Sequence, residues 1–188
     1  MSQPKTPDPA KLFLSAIYCD QSAIAAGLEA LTRRYGPVDH ATRELPFTST
    51  HYYAEEMGEP LSRRFFTLGP LIPHELLVEI KLAANALEAE QTRDGRRRLN
   101  LDPGIITVYN LVLATGKPAG HRPYLGQGIY ADVTLTYESG SFKALPWTYP
   151  DYAGAEMIAF LSRMREDYKF SLKQWREEQG GRRREVVG

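Results

Sequence analysis

The spacing of apolar residues predicts alternating strands and helices in the first half of the chain. Leu12 to Cys19 is a segment of strand length that is apolar apart from Ser15. Asp20 is suited to an N-cap, and apolar residues then recur at spacings of three and four until Gly36 and Pro37 end the helix. The predicted elements are a strand at 12–19, a helix to residue 35, an extended segment at 38–47, a strand at 61–68 and a helix from Pro73.

The second half of the chain has the pattern of a sheet followed by one long helix. Residues 129–138 alternate in polarity with a period of two, which predicts a strand whose Tyr130, Asp132 and Thr134 side faces water. Ser139 and Gly140 then predict a hairpin turn. A stripe of Met, Leu and aromatic residues predicts a helix over 154–178 that packs on the core.

The order of these elements indicates an α+β fold. The first half is β-α-β-β-α, and a strand after Arg98 would complete a βαββαβ, ferredoxin-like core. An antiparallel hairpin and the C-terminal helix would extend this core. We therefore predict one α+β domain at residues 11–178, with a disordered N-terminal lead at 1–10 and a disordered basic tail at 179–188.

Composition and charge narrow the function classes. The 188 residues contain 23 Lys and Arg against 23 Asp and Glu, and this balance excludes binding to nucleic acid or membranes by bulk positive charge. Cys19 is the single cysteine, so the chain has no internal disulfide and no thiolate metal site, and a reducing cytoplasm fits best. No apolar run approaches the roughly 20 residues of a membrane helix, so we expect no membrane partner.

Familiar catalytic motifs do not explain the sequence. Neither a phosphate-binding GxxxxGK[ST] loop nor a GxSxG or HExxH motif is present, and the four histidines are scattered. Gly126, Gln127 and Gly128 with Ala131 match the GxGxxA pattern, but they open a predicted strand and not the helix that dinucleotide binding requires.

Polar residues that suit a binding site instead concentrate in four segments, at 50–58, 96–104, 115–124 and 147–152. Lys117 and Arg122, with His121, suit a phosphate or carboxylate group. Tyrosine rings suit a planar group. The candidate ligand-binding residues are Lys117, His121, Arg122, Tyr124, Tyr130, Tyr52 and Glu56. The candidate catalytic residues are Asp102, Asp132 and Asp151, whose carboxylates suit either acid–base chemistry or Mg²⁺.

Several of these residues also have a purely structural interpretation. Asp102 precedes Pro103 and Gly104, a common turn sequence, and Asp151 is placed to cap the last helix. A further polar set on the second helix, at i, i+4 and i+7, is more typical of a solvated helix face than of a site. That set is Lys81, Asn85 and Glu88.

The long polar strings resemble those of a known family, the bacterial and archaeal proteins grouped as domain of unknown function 4416. The similarity extends from Lys11 to about Arg165. Its most specific strings are YY with EMG at 52–58, NLDPG at 100–104, LAT at 113–115, GIYA at 128–131 and WTYPDY at 147–152. The sequence departs from the family pattern at His51, where Asp is usual, and at Asp132, where Glu is usual. The resemblance implies no particular activity.

These residues favour a protein that binds a small anionic or nucleotide-like ligand. The same hypothesis allows that the protein also processes this ligand. Its pocket would have cationic side chains on one side and carboxylates on the other. One alternative is a non-catalytic RNA-binding module that uses Arg96 to Arg98 and the tail at Arg182 to Arg184. Another is a protein-interaction subunit that exposes the apolar stripe of the last helix.

Overall fold

The computed structural model describes residues 3–48, 53 and 56–185, and side chains up to residue 180. It has an α+β fold with one large sheet. The helices named here are α1 (Gln21–Tyr35), α2 (Leu76–Glu90), α3 (Pro150–Ala153) and α4 (Ala155–Glu185). The strands are β1 (Ala10–Tyr18), β2 (Val38–Ala41), β3 (Leu45–Pro46), β4 (Ser62–Ile72), β5 (Leu99–Ile106), β6 (Asn110–Thr115), β7 (Tyr124–Gly126), β8 (Ile129–Glu138) and β9 (Ser141–Ala144).

The nine strands form one sheet in which every neighbouring pair is antiparallel. The strand order is β2-β4-β1-β5-β6-β8-β7, with β3 also paired to β4 and β9 also paired to β8. The predicted α+β class is thereby confirmed. The finer prediction, a ferredoxin-like core extended by one antiparallel hairpin, is not confirmed, because four strands, β6 to β9, follow β5 in the sheet.

The sheet separates two apolar layers because side chains alternate along its strands. On β1, Leu12, Leu14 and Ala16 belong to the layer under α1 and α2, whereas Phe13 belongs to the layer under α3 and α4. The apolar stripe of α4 is buried as predicted, and its members Met157, Leu161 and Met164 belong to this second layer. Its buried members are Met157, Leu161, Met164, Tyr168 and Leu172.

Local signals placed α1 correctly. The Asp20 carboxylate accepts hydrogen bonds from the backbone N–H groups of Ser22 and Ala23, which makes it the N-cap. Gly36 ends the helix with φ +97°, a conformation that favours glycine.

Three other predictions need correction. The extended segment at 38–47 is two short strands, β2 and β3, and α4 continues to Glu185, past the predicted end at residue 178. The prediction that one side of β8 faces water is wrong at Asp132 and Thr134, which are 8% and 3% exposed. Both are covered from outside the strand, since Arg122 binds Asp132 and the hydroxyl of Thr148 donates to the Thr134 carbonyl. The predicted domain limits, with one domain at residues 11–178 between two disordered ends, stay a prediction.

The sheet divides between β5 and β6. Strand β5 pairs with β1 along its whole length, but with β6 only from Gly104 to Ile106. The close approach at Gly104 requires glycine, because an added Cβ would lie 2.6 Å from the carbonyl oxygen of Val112. Continued alternation would next pair Pro103 with Ala114, and proline has no N–H to donate. The two strands separate from that position.

Side chains of α2 take the place of the missing strand. The Glu88 carboxylate accepts a hydrogen bond from the Leu101 N–H at 2.7 Å, and the Lys81 ammonium donates to the Leu101 carbonyl at 2.8 Å. Both backbone groups of Leu101 therefore point into the division and are satisfied there. No helix within the described residues is both long and apolar enough to cross a membrane.

Candidate functional site

A cleft of about 560 Å³ lies at the division between β5 and β6. Its volume is in the range of small-molecule sites. Strands β1, β4, β5, β6 and β8 contribute their ends on this side of the sheet, α2 forms one wall, and the loop leading into α3 forms another. Its charged lining residues are Glu56, Arg63, Lys81, Glu88, Arg97, Asp102, Lys117, Arg122, Asp132 and Asp151.

Asp102 is held in the cleft by groups from α2 and its own strand. Its carboxylate accepts hydrogen bonds from the Lys81 ammonium at 3.0 Å and from the Asn100 amide at 2.8 Å. Burial would raise the pKa of Asp102, but the Lys81 charge and these hydrogen bonds outweigh it and lower the pKa. The opposite holds for Glu88, whose pKa is raised because burial outweighs its cationic partners.

Arg63 joins β4 to α3 across the cleft. It is 6% exposed, binds the Asp151 carboxylate, and donates to the hydroxyls of Ser15 at 2.7 Å and Tyr152 at 3.0 Å. Burial would lower the pKa of Arg63, but Tyr152 and Asp151 outweigh it and raise the pKa. Its Nε atom is buried and has no hydrogen-bond partner within the described residues. Such a group is uncommon in a protein interior.

Arg97 connects the α2 wall to the segment before β4. Its guanidinium donates to Glu88 at 2.7 Å, to Glu56 at 2.9 Å and to the Asn100 side-chain oxygen at 2.9 Å. The guanidinium also lies over the ring of Tyr53, 5.8 Å from its centre. Burial raises the pKa of Tyr53, so this ring is neutral and packs as an aromatic wall.

The opposite wall is built around Asp132. Arg122 donates to one oxygen of the Asp132 carboxylate from Nε at 2.9 Å and from a terminal nitrogen at 2.8 Å, and a third N–H reaches the Lys117 carbonyl at 3.0 Å. The Nε2 atom of His121 is 4.0 Å from the same carboxylate oxygen, and its ring stacks on Trp147 at 4.5 Å. This wall therefore presents a fixed carboxylate beside cationic groups.

The structure brings together most of the candidate residues. Asp102, Asp132, Asp151, Lys117, Arg122 and Glu56 all line the cleft. His121 does not line the cleft, but its Nε2 atom is 4.0 Å from the Asp132 carboxylate. Tyr130 and Tyr124 pack on each other at 5.2 Å and do not line the cleft. Tyr52 lies outside the described residues. The functional roles of all these residues stay predictions.

The structural interpretations of two aspartates are wrong. Asp102 and Pro103 lie within β5 and not in a turn. Asp151 is in the first turn of α3, but its carboxylate binds Arg63 and makes no capping hydrogen bond. The prediction of a solvated helix face is wrong for Lys81 and Glu88, which are each 6% exposed. Asn85, the third residue of that polar set on α2, is exposed and lines the cleft.

Two arginines were missed as site residues. Arg63 was part of a predicted strand and Arg97 part of a basic run, and neither position alone indicates a buried charge. One available signal was Pro103 within the strand at 99–106, since proline inside a strand marks a break in the sheet.

The charges in the cleft are paired and not segregated. Among the described lining residues are five cations and five carboxylates. Four of these cations form ion pairs with lining carboxylates, and the expectation of a cationic side that faces an acidic side is therefore wrong. The pairs are Arg63 with Asp151, Lys81 with Asp102, Arg97 with Glu56 and Glu88, and Arg122 with Asp132. Among the described residues, no three His, Cys, Asp or Glu side chains are grouped as a metal site would need.

The fold and the cleft define an α+β protein with a charge-lined cleft where its antiparallel sheet divides. The family model described as Domain of unknown function (DUF4416) matches residues 8–168 of the 188-residue chain, and the chain belongs to this family. No curated protein and no solved structure matches it.

Proposed function

We propose that this protein binds a small phosphorylated or nucleotide-like ligand in the cleft between β5 and β6. The observation that carries the proposal is the convergence of ten charged side chains, from separate elements of the fold, around one cavity of about 560 Å³. Burying charged groups is costly, and a fold gains little stability from it. A cluster of this size is more readily explained by a polar ligand than by stability.

The wall formed by Lys117 and Arg122 is the proposed anion site. Arg122 has its guanidinium fixed by Asp132 and the Lys117 carbonyl, so little side-chain entropy remains to be lost when a ligand binds. A phosphate next to it would gain charge-assisted hydrogen bonds. His121, stacked on Trp147 and close to Asp132, would support this wall.

The carboxylates are the proposed partners of ligand hydroxyl groups. The lowered pKa of Asp102 keeps it ionised, and an ionised carboxylate only accepts hydrogen bonds. Ribose and other sugar hydroxyls are suitable donors. Should the protein also process its ligand, Asp102, Asp132 and Asp151 are the groups we propose for proton transfer.

Isothermal titration against a panel of nucleotides and sugar phosphates tests the proposal. The Lys117→Ala/Arg122→Ala variant should lose affinity for every phosphorylated ligand that the intact protein binds, by about tenfold or more. The matched control is Lys143→Ala/Arg163→Ala, which removes the same charge from exposed positions outside this cleft.

Two outcomes would contradict the proposal: no heat of binding with any ligand of the panel, or equal affinities for the cleft variant and the control. Because Arg122→Ala leaves the Asp132 carboxylate without its guanidinium, a single Lys117→Gln variant is measured as well. Thermal melts establish that each variant is folded before its affinity is compared.

The alternative of an RNA-binding module has less support. Arg97 is paired with Glu56 and Glu88, and Arg98 is paired with Asp20, so two residues of the basic run are already neutralised. RNA binding through phosphates would weaken steeply as salt is raised. A reducing cytoplasm remains the proposed location, supported by the single cysteine.

We also propose that β1, α1, β2, β4, α2 and β5 form a ferredoxin-like unit to which the later strands were added. The support is the order β2-β4-β1-β5 with antiparallel neighbours, which is the order of a split β-α-β unit. Backbone NOEs between β1 and both β4 and β5 test this arrangement, and their absence would contradict it.

A further inference from the structure

Beyond Leu113, the backbone edge of β6 that faces the cleft has no strand partner among the described residues and can form hydrogen bonds to a ligand. Strand β6 pairs with β8 through Thr115 and Tyr130, and Ala131 donates its N–H away from β6, to the Pro123 carbonyl at 2.8 Å. Backbone groups alternate in direction along a strand. The groups of Thr115 therefore point to β8, whereas the Ala114 carbonyl and the Gly116 N–H point to the opposite side, towards β5.

On the β5 side, the usual partners of these two groups are missing. The residue opposite Ala114 would be Pro103, which has no N–H. The residue opposite Gly116 would be Leu101, whose N–H and carbonyl bind Glu88 and Lys81 of α2. Ala114 and Gly116 both line the cleft. An acceptor and a donor, two residues apart, are thus directed into the cavity.

We propose that this edge binds the rim of a planar heterocyclic base, so that the ligand is a nucleotide and not a sugar phosphate. The inference rests on the proposed function and names its ligand class. A carbonyl and an N–H side by side on a strand match the planar edge of a nucleobase, which holds one donor and one acceptor in fixed directions, whereas the hydroxyl groups of a sugar rotate and have no fixed donor and acceptor.

Two neighbouring features of the cleft fit a nucleotide. Lys117 follows Gly116 directly, so the proposed anion site adjoins the base site along the chain. Tyr149 also lines the cleft and is 54% exposed, which provides an aromatic face for a base. A nucleoside monophosphate has both groups that these features require.

Gly116 allows a test with a matched control. Gly116→Pro removes the N–H, and the preceding Thr115 is in a strand, the conformation that a following proline favours. Gly116→Ala retains the N–H, and its added Cβ meets no atom within 4 Å. The Gly116 backbone does not have the positive φ that would exclude alanine.

Affinities for nucleoside monophosphates and for ribose 5-phosphate are measured by isothermal titration with the intact protein and both variants. We expect the best nucleotide to bind at least tenfold more tightly than ribose 5-phosphate to the intact protein. Gly116→Pro should lose about tenfold for this nucleotide, and Gly116→Ala less than twofold. Ribose 5-phosphate should bind all three proteins alike.

Equal affinity of ribose 5-phosphate and every nucleotide would overturn the inference while leaving the proposed function in place. Equal nucleotide affinity of the Pro and Ala variants would do the same. Binding of none of these compounds would overturn both. Melting temperatures of the two variants within a few degrees of each other establish that a loss in Gly116→Pro reflects the missing N–H and not unfolding.

Discussion

Lys81→Met tests whether α2 really replaces the missing strand at the division of the sheet. Methionine is similar in length and in helix propensity to lysine, so the change removes the ammonium with little effect on α2 itself. The ammonium donates to the Leu101 carbonyl at 2.8 Å and to Asp102 at 3.0 Å. Without it, a carbonyl in the division loses its partner and Asp102 loses its cation.

The size of the effect follows from these two contacts. An unpaired buried carbonyl costs about 1–3 kcal/mol, and breaking a fully buried ion pair costs about 3–5 kcal/mol. Because the Asp102 side chain is 28% exposed and keeps its hydrogen bond from Asn100, and because both losses come from one ammonium group, they do not add in full, and the total lies near the lower end of the ion-pair range. We expect the free energy of unfolding to fall by about 3 kcal/mol.

Urea denaturation monitored by circular dichroism measures this loss. With a urea m-value of about 2 kcal/mol/M, the midpoint should fall by about 1.5 M. The control is Lys173→Met on α4, where the side chain is 76% exposed and the change should be within about 0.5 kcal/mol. A loss below 1 kcal/mol for Lys81→Met would refute the strand-replacement argument.

Three further substitutions test other parts of the structure. Gly104→Ala should lower the free energy of unfolding by about 1–3 kcal/mol in urea titrations, because the added Cβ would meet a β6 carbonyl. The control Gly120→Ala adds a methyl group in open space and should hardly change the free energy of unfolding. Because the pKa of Asp102 is lowered in the folded protein, its ionised carboxylate stabilises the fold at pH values above the ordinary carboxyl pKa of about 3.9. The intact protein should therefore be more stable than Asp102→Asn at pH 7, and this difference should shrink as the pH falls below about 4. A difference in stability that is the same at pH 7 and pH 3 would be inconsistent with this. Leu161→Ala, at a fully buried position of α4, should cost about 2–5 kcal/mol, and thermal melts should show almost no change for Phe170→Ala, since Phe170 is 64% exposed.

The sequence was sufficient wherever structure depends on neighbouring residues. Asp20 and Gly36 mark both ends of α1 by capping chemistry, and the buried stripe of α4 follows from helical periodicity alone. The turn at Ser139 and Gly140 likewise joins β8 to β9. Each of these signals lies within a few residues of the element that it defines.

The sequence was insufficient where the outcome depends on distant pairings. Lys81 and Glu88 have the spacing of an ordinary solvated helix face, and they are buried only because Pro103 separates β5 from β6 and exposes Leu101 to them. Arg63 is likewise buried because α3, almost ninety positions later, covers it. Such contacts cannot be derived from periodicity.

Most candidate site residues could still be named in advance, because charged and aromatic residues concentrate in segments that end at the cleft. The chemistry of Lys117, Arg122 and Asp132 marks them as candidate site residues, and they form one wall of the cleft. The pairing between them was not predictable, since it arises from the hairpin geometry that places Arg122 beside β8.

The most direct test of ligand binding in the cleft is a ¹H–¹⁵N HSQC titration of the intact protein with a nucleoside monophosphate. The largest shifts should fall on backbone amides around the cleft, at Leu101, Gly116, Lys117 and Arg122. Amides of exposed positions on the far part of α4, such as Phe170 and Lys173, should not move. An absence of saturable shifts, or shifts concentrated on α4, would contradict the central claim.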